Sequence, residues 1–415
     1  MASFSIPLSG LNASSQELSV IANNLANINT PGYKSSSAQF SSLFYQNLGT
    51  SGNGDPMQVG TGAQLGSVTM DMTDGAPSAT GVNSNAAVQG SGMFVLNNNG
   101  QQLFTRAGNF TVSNQGYLMA PDGSLVQGYP APNGVVNTNA PLGSLQVGSG
   151  VTTPATATSN IQVGVNLNSQ SAVGTSYSDP VQVYDSLGAT HTLTETFTKT
   201  GTDTWSYAVT LPGADTGATS PTTLASGTLN FDTNGNVIPP TPGVDNVTLT
   251  SGALSNGAAA LNMTWHLFNS TGNSLITQTA SASAPLSSQQ DGGAPGNLLN
   301  FNIQPDGTIE GSFSNGQTKS LGQIVLANFA NPQGLQGLGN NEFQATVGSG
   351  AANIGTPGAG GLGQLTGGSI EQSNVDIAAE FSNLIQAQNS YTASAKAVTV
   401  FNQVTQTAIN MQTGL

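Results

Sequence analysis

The sequence predicts a mainly β, multi-domain protein with long N- and C-terminal α-helices that form a coiled-coil-like pair, and all-β middle and outer domains. Three observations predict it. Apolar residues recur at alternating three- and four-residue steps only near the two termini. The stretches between are short apolar runs bounded by turn dipeptides. The length of 415 residues, at about 150 per domain, suggests roughly three domains.

The N-terminal helix rests on Leu11, Leu18, Ile21, Leu25 and Ile28, with Ser14 at the missing step and Asn24 beside the stripe. Pro31 in Asn29-Thr30-Pro31-Gly32 stops it, because proline cannot continue the hydrogen-bond ladder and disfavours helix at the residue before it. The C-terminal helix rests on Ile377, Phe381, Leu384, Gln388, Tyr391, Ala395 and Val398, then Phe401, Val404, Ala408, Met411 and Leu415 after one three-residue step. Ser373-Asn374-Val375-Asp376 reads as its capping box. No Gly or Pro interrupts 374–412, a length of nearly 60 Å as helix.

Strand-like runs fill the middle, such as Met93-Phe94-Val95-Leu96 and Ile324-Val325-Leu326. Asn99-Gly100, Asp122-Gly123, Asn234-Gly235, Asp306-Gly307 and Asn315-Gly316 are hairpin-type dipeptides. Gly-rich stretches at 47–66 and 355–368 read as connectors and hinges. The expected division is 1–32 plus 370–415 as a helical inner domain and 33–72 as an extended or hairpin connector. An inner β-domain takes 73–150 plus 291–369, and an outer β-domain, 151–290, is inserted in it.

Composition excludes several functions. Five basic against nineteen acidic residues, a net charge of −14, leave too little positive surface for nucleic acid or an anionic membrane. There is no cysteine, hence no disulfide or thiol chemistry, and there are only two histidines. No apolar stretch is long enough to span a bilayer, and the first residues lack a secretory signal pattern. That leaves a cytoplasmic protein, or export by a route without a cleaved signal. With 37% hydrophobic and only 6% charged residues the chain is not of disordered type.

Motifs for chemistry are weak. Gly358-Ala359-Gly360-Gly361-Leu362-Gly363 matches a dinucleotide pattern, but Gly367-Gly368 interrupts the helix that should follow. Asp232-Thr233-Asn234-Gly235 opens like a calcium loop, but Val237 and Gly243 stand where Gly and Glu are required, so a hairpin turn is expected. Asp185, Ser186 and His191 lack a nucleophile elbow, and both His191 and His266 read as strand residues. No catalytic residue, cofactor or metal is assigned.

Three segments carry a resemblance. Ser19-Val20-Ile21-Ala22-Asn23-Asn24-Leu25-Ala26-Asn27-Ile28-Asn29-Thr30-Pro31-Gly32-Tyr33-Lys34 resembles the N-terminal signature of bacterial flagellar rod and hook proteins. Glu371-Gln372-Ser373-Asn374-Val375-Asp376 with Glu380-Phe381 and Gln388-Asn389-Ser390-Tyr391 resembles their C-terminal signature. Gln89-Gly90-Ser91-Gly92-Met93-Phe94-Val95 and Phe104-Thr105-Arg106-Ala107-Gly108-Asn109-Phe110 resemble their shared β-region. The middle, with Tyr184-Asp185-Ser186-Leu187-Gly188, His191 and Trp205, looks like the hook members of that family.

The resemblance implies a homo-polymer, a curved flexible tube joining rod to filament. It implies an extracellular place in the flagellum, reached through the type III export apparatus without a cleaved signal. Implied partners are a distal rod protein, a hook cap protein and a hook–filament junction protein. The self-assembly interface is expected at Leu11, Leu18, Ile21, Asn24, Leu25, Ile28, Ile377, Phe381, Leu384, Tyr391, Val398, Phe401, Val404 and Met411. A distal rod subunit is the alternative within the family. A secreted β-rich adhesin and an extracellular carbohydrate-active enzyme are alternatives outside it.

Overall fold

The computed structural model describes residues 5–148, 150–239 and 246–413. Helix α1 spans Ser5–Ala26 and unwinds at the asparagine-rich end of the first signature. There the Asn27 N–H bonds back to the Asn23 and Asn24 carbonyls, and the Thr30 N–H bonds to Asn27. Beyond Pro31 the chain runs out as an antiparallel ribbon. Ser36–Ser42 pairs with Ala63–Met70, and Tyr45–Thr50 pairs with Pro56–Gly60. The stretch 47–66 is therefore largely paired strand, in keeping with an extended or hairpin connector over 33–72. Its glycines serve the register: Gly49 follows the bulge at Asn47, and Gly54 turns the hairpin with φ 85°.

The chain divides into two compact units. One takes in the residues before 151, with 300–311 and 318 onward; the other takes 151–299 and 312–317. In the first unit Met93–Asn98 lies between Gln101–Thr105 and Leu125–Pro130. Its unbroken apolar run suits a strand buried on both faces. Phe94 and Leu96 enter one core with Phe110, Leu118 and Ile324. Met93 and Val95 enter another with Phe104 and Phe329. Phe94–Phe110 and Phe104–Phe329 meet edge to face at 4.9 and 4.8 Å. The hairpin between Met93–Asn98 and Gln101–Thr105 turns on Asn99 and Gly100, both at positive φ, as its dipeptide predicts.

The stretch 355–368 is a correction. Gln364–Gly367 pairs with Ala86–Gln89, and Leu362 and Leu365 are buried in the first core. A Cβ on Gly363 would lie 2.2 Å from the Gln89 carbonyl oxygen. That glycine is there for close backbone approach, and the stretch is packed strand and turn, not a hinge.

The second unit is two sheets around one core. Ser176–Tyr184, Thr190–Gly201, Thr204–Leu211, Thr222–Phe231 and Val237–Ile238 form an antiparallel meander. In the other sheet Asn160–Asn168 runs parallel to Asn262–His266 and Ile276–Thr279 and antiparallel to Ala284–Gln290. Thr190–Gly201 shows the period of two cleanly: His191, Leu193, Glu195, Phe197 and Lys199 are buried, and the intervening threonines are not. Trp205 Nε1 donates to Gln278 Oε1 across the core at 2.7 Å. One-turn helix α2, Gly213–Thr216, follows the third meander strand. The Asp232 turn is an Asx turn, its carboxylate accepting from the Asn234 and Asn236 N–H groups, as expected of a hairpin.

Helix α3, Ile377–Thr413, returns antiparallel along α1. Asn24 of α1 bonds Glu380 near the start of α3, and Gly10 faces Ser394. The cap is corrected by three residues. Asp376, not Ser373, accepts the Ala378 and Ala379 N–H groups, while Ser373 Oγ takes only the Val375 N–H.

Candidate assembly interface

Polar side chains lock the base of the helix pair. Asn24 is 1% exposed. Its amide nitrogen donates to Glu380 Oε1 at 3.0 Å and to the Ser36 carbonyl at 2.8 Å, and its amide oxygen accepts from the Ser36 N–H and the Tyr33 hydroxyl. Burial and the nearby Glu380 carboxylate push the Tyr33 pKa upward. Asn374 accepts from the Ser35 N–H and donates to the Asp71 and Thr73 carbonyls. A single side chain thus ties the approach to α3 to both strands of the ribbon's base.

Beneath this lies a buried ion cluster. Glu371 takes Lys34 Nζ at 2.7 Å on one oxygen and Arg106 Nε at 2.5 Å on the other. It also accepts the Gly75 N–H. Arg106 reaches Asp74 at 2.6 Å and the Gly92 and Val88 carbonyls. Burial lowers the Lys34 pKa, with Glu371 opposing that shift. Two cations and two anions cancel, and each of the three signature segments supplies one member. Gly32 makes the approach possible: its φ is 66°, and a Cβ there would meet the Arg106 and Ala107 backbone at 2.6 Å. These residues escaped the sequence-based interface set. The available signal was that a chain with five basic residues places two of them inside its signatures.

The fourteen expected interface residues fall into two groups. Ile21 and Asn24 are buried, and Leu11, Leu18, Leu25, Ile28, Leu384, Val398 and Phe401 are half-buried. Ile377, Phe381, Tyr391, Val404 and Met411 are exposed. The buried and half-buried positions of α3 step through Glu380, Leu384, Ala387, Ser394, Val398 and Phe401, one stripe over from Ile377 and Phe381. An outward stripe remains, joined by Ile385 and Val400, which the sequence reading did not include. From about residue 400, α3 also runs beyond the level of Ser5 in α1. The ribbon is apolar and open as well, with Phe44 91%, Tyr45 61% and Leu48 59% exposed.

The second unit holds the only histidine–carboxylate grouping considered from sequence. His191 Nε2 lies 3.0 Å from Asp185 Oδ2, and Nδ1 lies 3.2 Å from Asp215. Burial opposes charge on His191, but the two carboxylates outweigh it and raise its pKa. Burial likewise opposes charge on Asp185, yet bonds from His191, Asn256 and the Ala189 and Leu187 N–H groups hold it at about 2. Ser186 Oγ instead accepts the Ala259 N–H. The group ties a turn to its strand, and no nucleophile–base pair is assembled.

Comparison with known proteins agrees with this geometry. Residues 6–34 match "Flagella basal body rod protein" and 366–411 match "Flagellar basal body rod FlgEFG protein C-terminal". Residues 87–168 match "Flagellar hook protein FlgE/F/G D1 domain", and 150–293 match "Flagellar basal body protein FlaE D2 domain". The flagellar hook protein FlgE of Salmonella typhimurium strain LT2 is 36% identical over 431 residues, covering 99% of this chain and all of that one. Those of Escherichia coli K12 and Treponema pallidum are 34% and 32% identical, covering 99% and 98% of this chain and 100% and 98% of theirs. The crystal structure of Helicobacter pylori flagellar hook protein FlgE2 shares the fold with a TM-score of 0.50, at 16% identity, over 69% of this chain and 98% of that one. The full-length matches to hook proteins separate this chain from the rod alternative, and it belongs to the flagellar hook protein FlgE family.

Proposed function

We propose that copies of this chain polymerise through the outward stripe of α3 and the open ribbon into a curved, flexible tube, the joint that passes torque from rod to filament. The observation that carries this is the exposure of Phe381, Ile385, Val400 and Val404, each more than half open, on a 37-residue helix with two charged side chains, Glu380 and Lys396. At about 25 cal/mol per Å², such a stripe gains substantially from being covered. Torsional stiffness comes from packed helices. Bending comes from neutral Ser, Thr and Asn surfaces that slide past one another without breaking charge pairs.

In this reading the polymer is extracellular and its subunit leaves the cell through the flagellar type III channel without a cleaved signal. It meets a distal rod protein below, a junction protein above and a cap protein during growth. Negative-stain electron microscopy of the purified chain tests it, beside a version lacking 1–30 and 374–415. Curved tubes from the full chain and none from the truncation are expected. Straight stiff rods, or a stable full-length monomer at high concentration, overturn it.

A further inference from the structure

Asp185, in the second unit, is saturated with donors. One carboxylate oxygen, Oδ1, accepts the Leu187 and Ala189 N–H groups at 2.8 and 2.9 Å. The other, Oδ2, accepts the Asn256 amide at 2.5 Å and faces His191 Nε2 at 3.0 Å. So surrounded, Asp185 stays ionised, and His191 Nε2 keeps its proton in both charge states of the ring. The proton that comes and goes is therefore the one on Nδ1. Nδ1 is buried without a hydrogen-bond partner, and the Asp215 carboxylate stands 3.2 Å away. The titratable groups facing the ring are thus Asp185, from the turn, and Asp215, from α2. Val183, opposite on the neighbouring strand, and Asn256, which shares Asp185, are neutral.

Asp215 carries the consequence outward. Its carbonyl accepts the Ser255 N–H at 2.8 Å, and Ser255 Oγ donates to the Ala214 carbonyl at 2.9 Å. The stretch 254–259 is tied back to the turn by Asn256 on Asp185 and by the Ala259 N–H on Ser186 Oγ. Helix α2 is a single turn without a side-chain cap, so its place depends on such contacts. We propose that His191 is a pH-operated latch. With Nδ1 protonated, the ring bridges Asp185 and Asp215 and holds α2 and 254–259 against the turn. With Nδ1 bare, its lone pair faces the Asp215 carboxylate, and the two segments loosen. Burial works against charge on the ring, but the two carboxylates outweigh it and raise its pKa above the usual 6.5. The folded chain then holds a proton that the unfolded chain releases. The latch is fully closed below pH 6.5 and opens as pH rises through the raised value.

The chain has two histidines, so selective isotope labelling of the rings gives two sets of magnetic-resonance signals from the unassembled full chain, with His266 as the reference. His191 should titrate above pH 6.5, and its neutral form should carry the proton on Nε2. Asp215→Asn should lower the His191 midpoint by about one pH unit and leave His266 unmoved. Amide hydrogen exchange, corrected for the pH dependence of the chemical step and read against the core of the same sheets, reports the latch itself. In the parent chain the Ser255 N–H should lose protection as pH rises through the His191 midpoint. In Asp215→Asn, whose amide can face either form of the ring, that protection should no longer follow the titration. Glu195, which faces Asp179 further along the same strand, is common to both proteins and cancels in the comparison. A neutral His191 protonated on Nδ1, an unmoved midpoint in Asp215→Asn, or Ser255 protection that ignores the titration overturns the proposal.

Discussion

Lys34 Nζ meets Glu371 Oε1 at 2.7 Å across 337 positions of sequence, with both side chains nearly inaccessible to water. The pair belongs to a closed cluster, so its energetics follow from neutrality. Removing Glu371 leaves two buried cations facing carbonyl groups and Asp74 alone. Glu371→Gln should lower the stability of the first unit by about 3–5 kcal/mol. Urea unfolding of the variant against the parent chain measures this, and a loss below about 1 kcal/mol would show that the cluster is solvated.

Gly32 offers a separate test of the same junction. Alanine there is strained by its positive φ and has no room, since the atoms its Cβ meets are backbone. Gly32→Ala should cost at least 1–3 kcal/mol. The control is Gly100→Ala, also at positive φ but with open space around it. Equal losses in the two variants would mean that the close approach contributes nothing.

What the sequence made legible was local. The Asn99-Gly100 turn depends on two adjacent residues and lies where its chemistry places it, whereas α1 ends at Ala26, five residues before Pro31, so Ile28 lies beyond the helix. The helices were legible through periodicity, but the face was not. Ile377 and Phe381 keep a four-three spacing with Leu384, and so do Glu380 and Ala387, so spacing alone cannot choose between two adjacent stripes. The ion cluster needs partners 265 and 337 residues apart, which no local pattern encodes. The glycines of 355–368 were misread because flexibility and close approach call for the same residue. The Gln89 carbonyl beside Gly363 and the Ile303 carbonyl beside Gly367 tell them apart.

Glu195 makes the second unit lose stability as pH rises from about 4.5 to about 8. It is 1% exposed, neither carboxyl oxygen has a hydrogen-bond partner, and Asp179 stands directly opposite on the neighbouring strand. Burial first, then the Asp179 charge, pushes its pKa up to about 8 from 4.5. Between those values the folded chain holds a proton that the unfolded chain releases. Stability therefore falls as pH rises through this window and levels off above about 8. Glu195→Gln cannot ionise, so its advantage over the parent should grow from near zero at about pH 4.5 to on the order of 5 kcal/mol above pH 8. Trp205 and Trp265 are the chain's two tryptophans and both are buried in this unit, so their fluorescence reports its unfolding directly. Parallel pH profiles for the two proteins would refute the assignment.

Phe381 and Val404 separate assembly from folding. They are 52% and 60% exposed on α3, so a charge at either position meets water in the free chain and should change its unfolding midpoint little. In a polymer that covers this stripe the same charge would be buried without a counter-ion, at a cost of several kcal/mol per copy. Phe381→Asp and Val404→Asp should therefore raise the concentration needed for tube formation by at least a hundredfold while leaving the helical circular dichroism signal of the free chain in place. Ile21→Asp, at a buried position of α1, should instead lower stability and assembly together. Tubes formed by Phe381→Asp at the parent concentration would place the interface elsewhere, with the open ribbon at Phe44 and Leu48 as the next surface to charge.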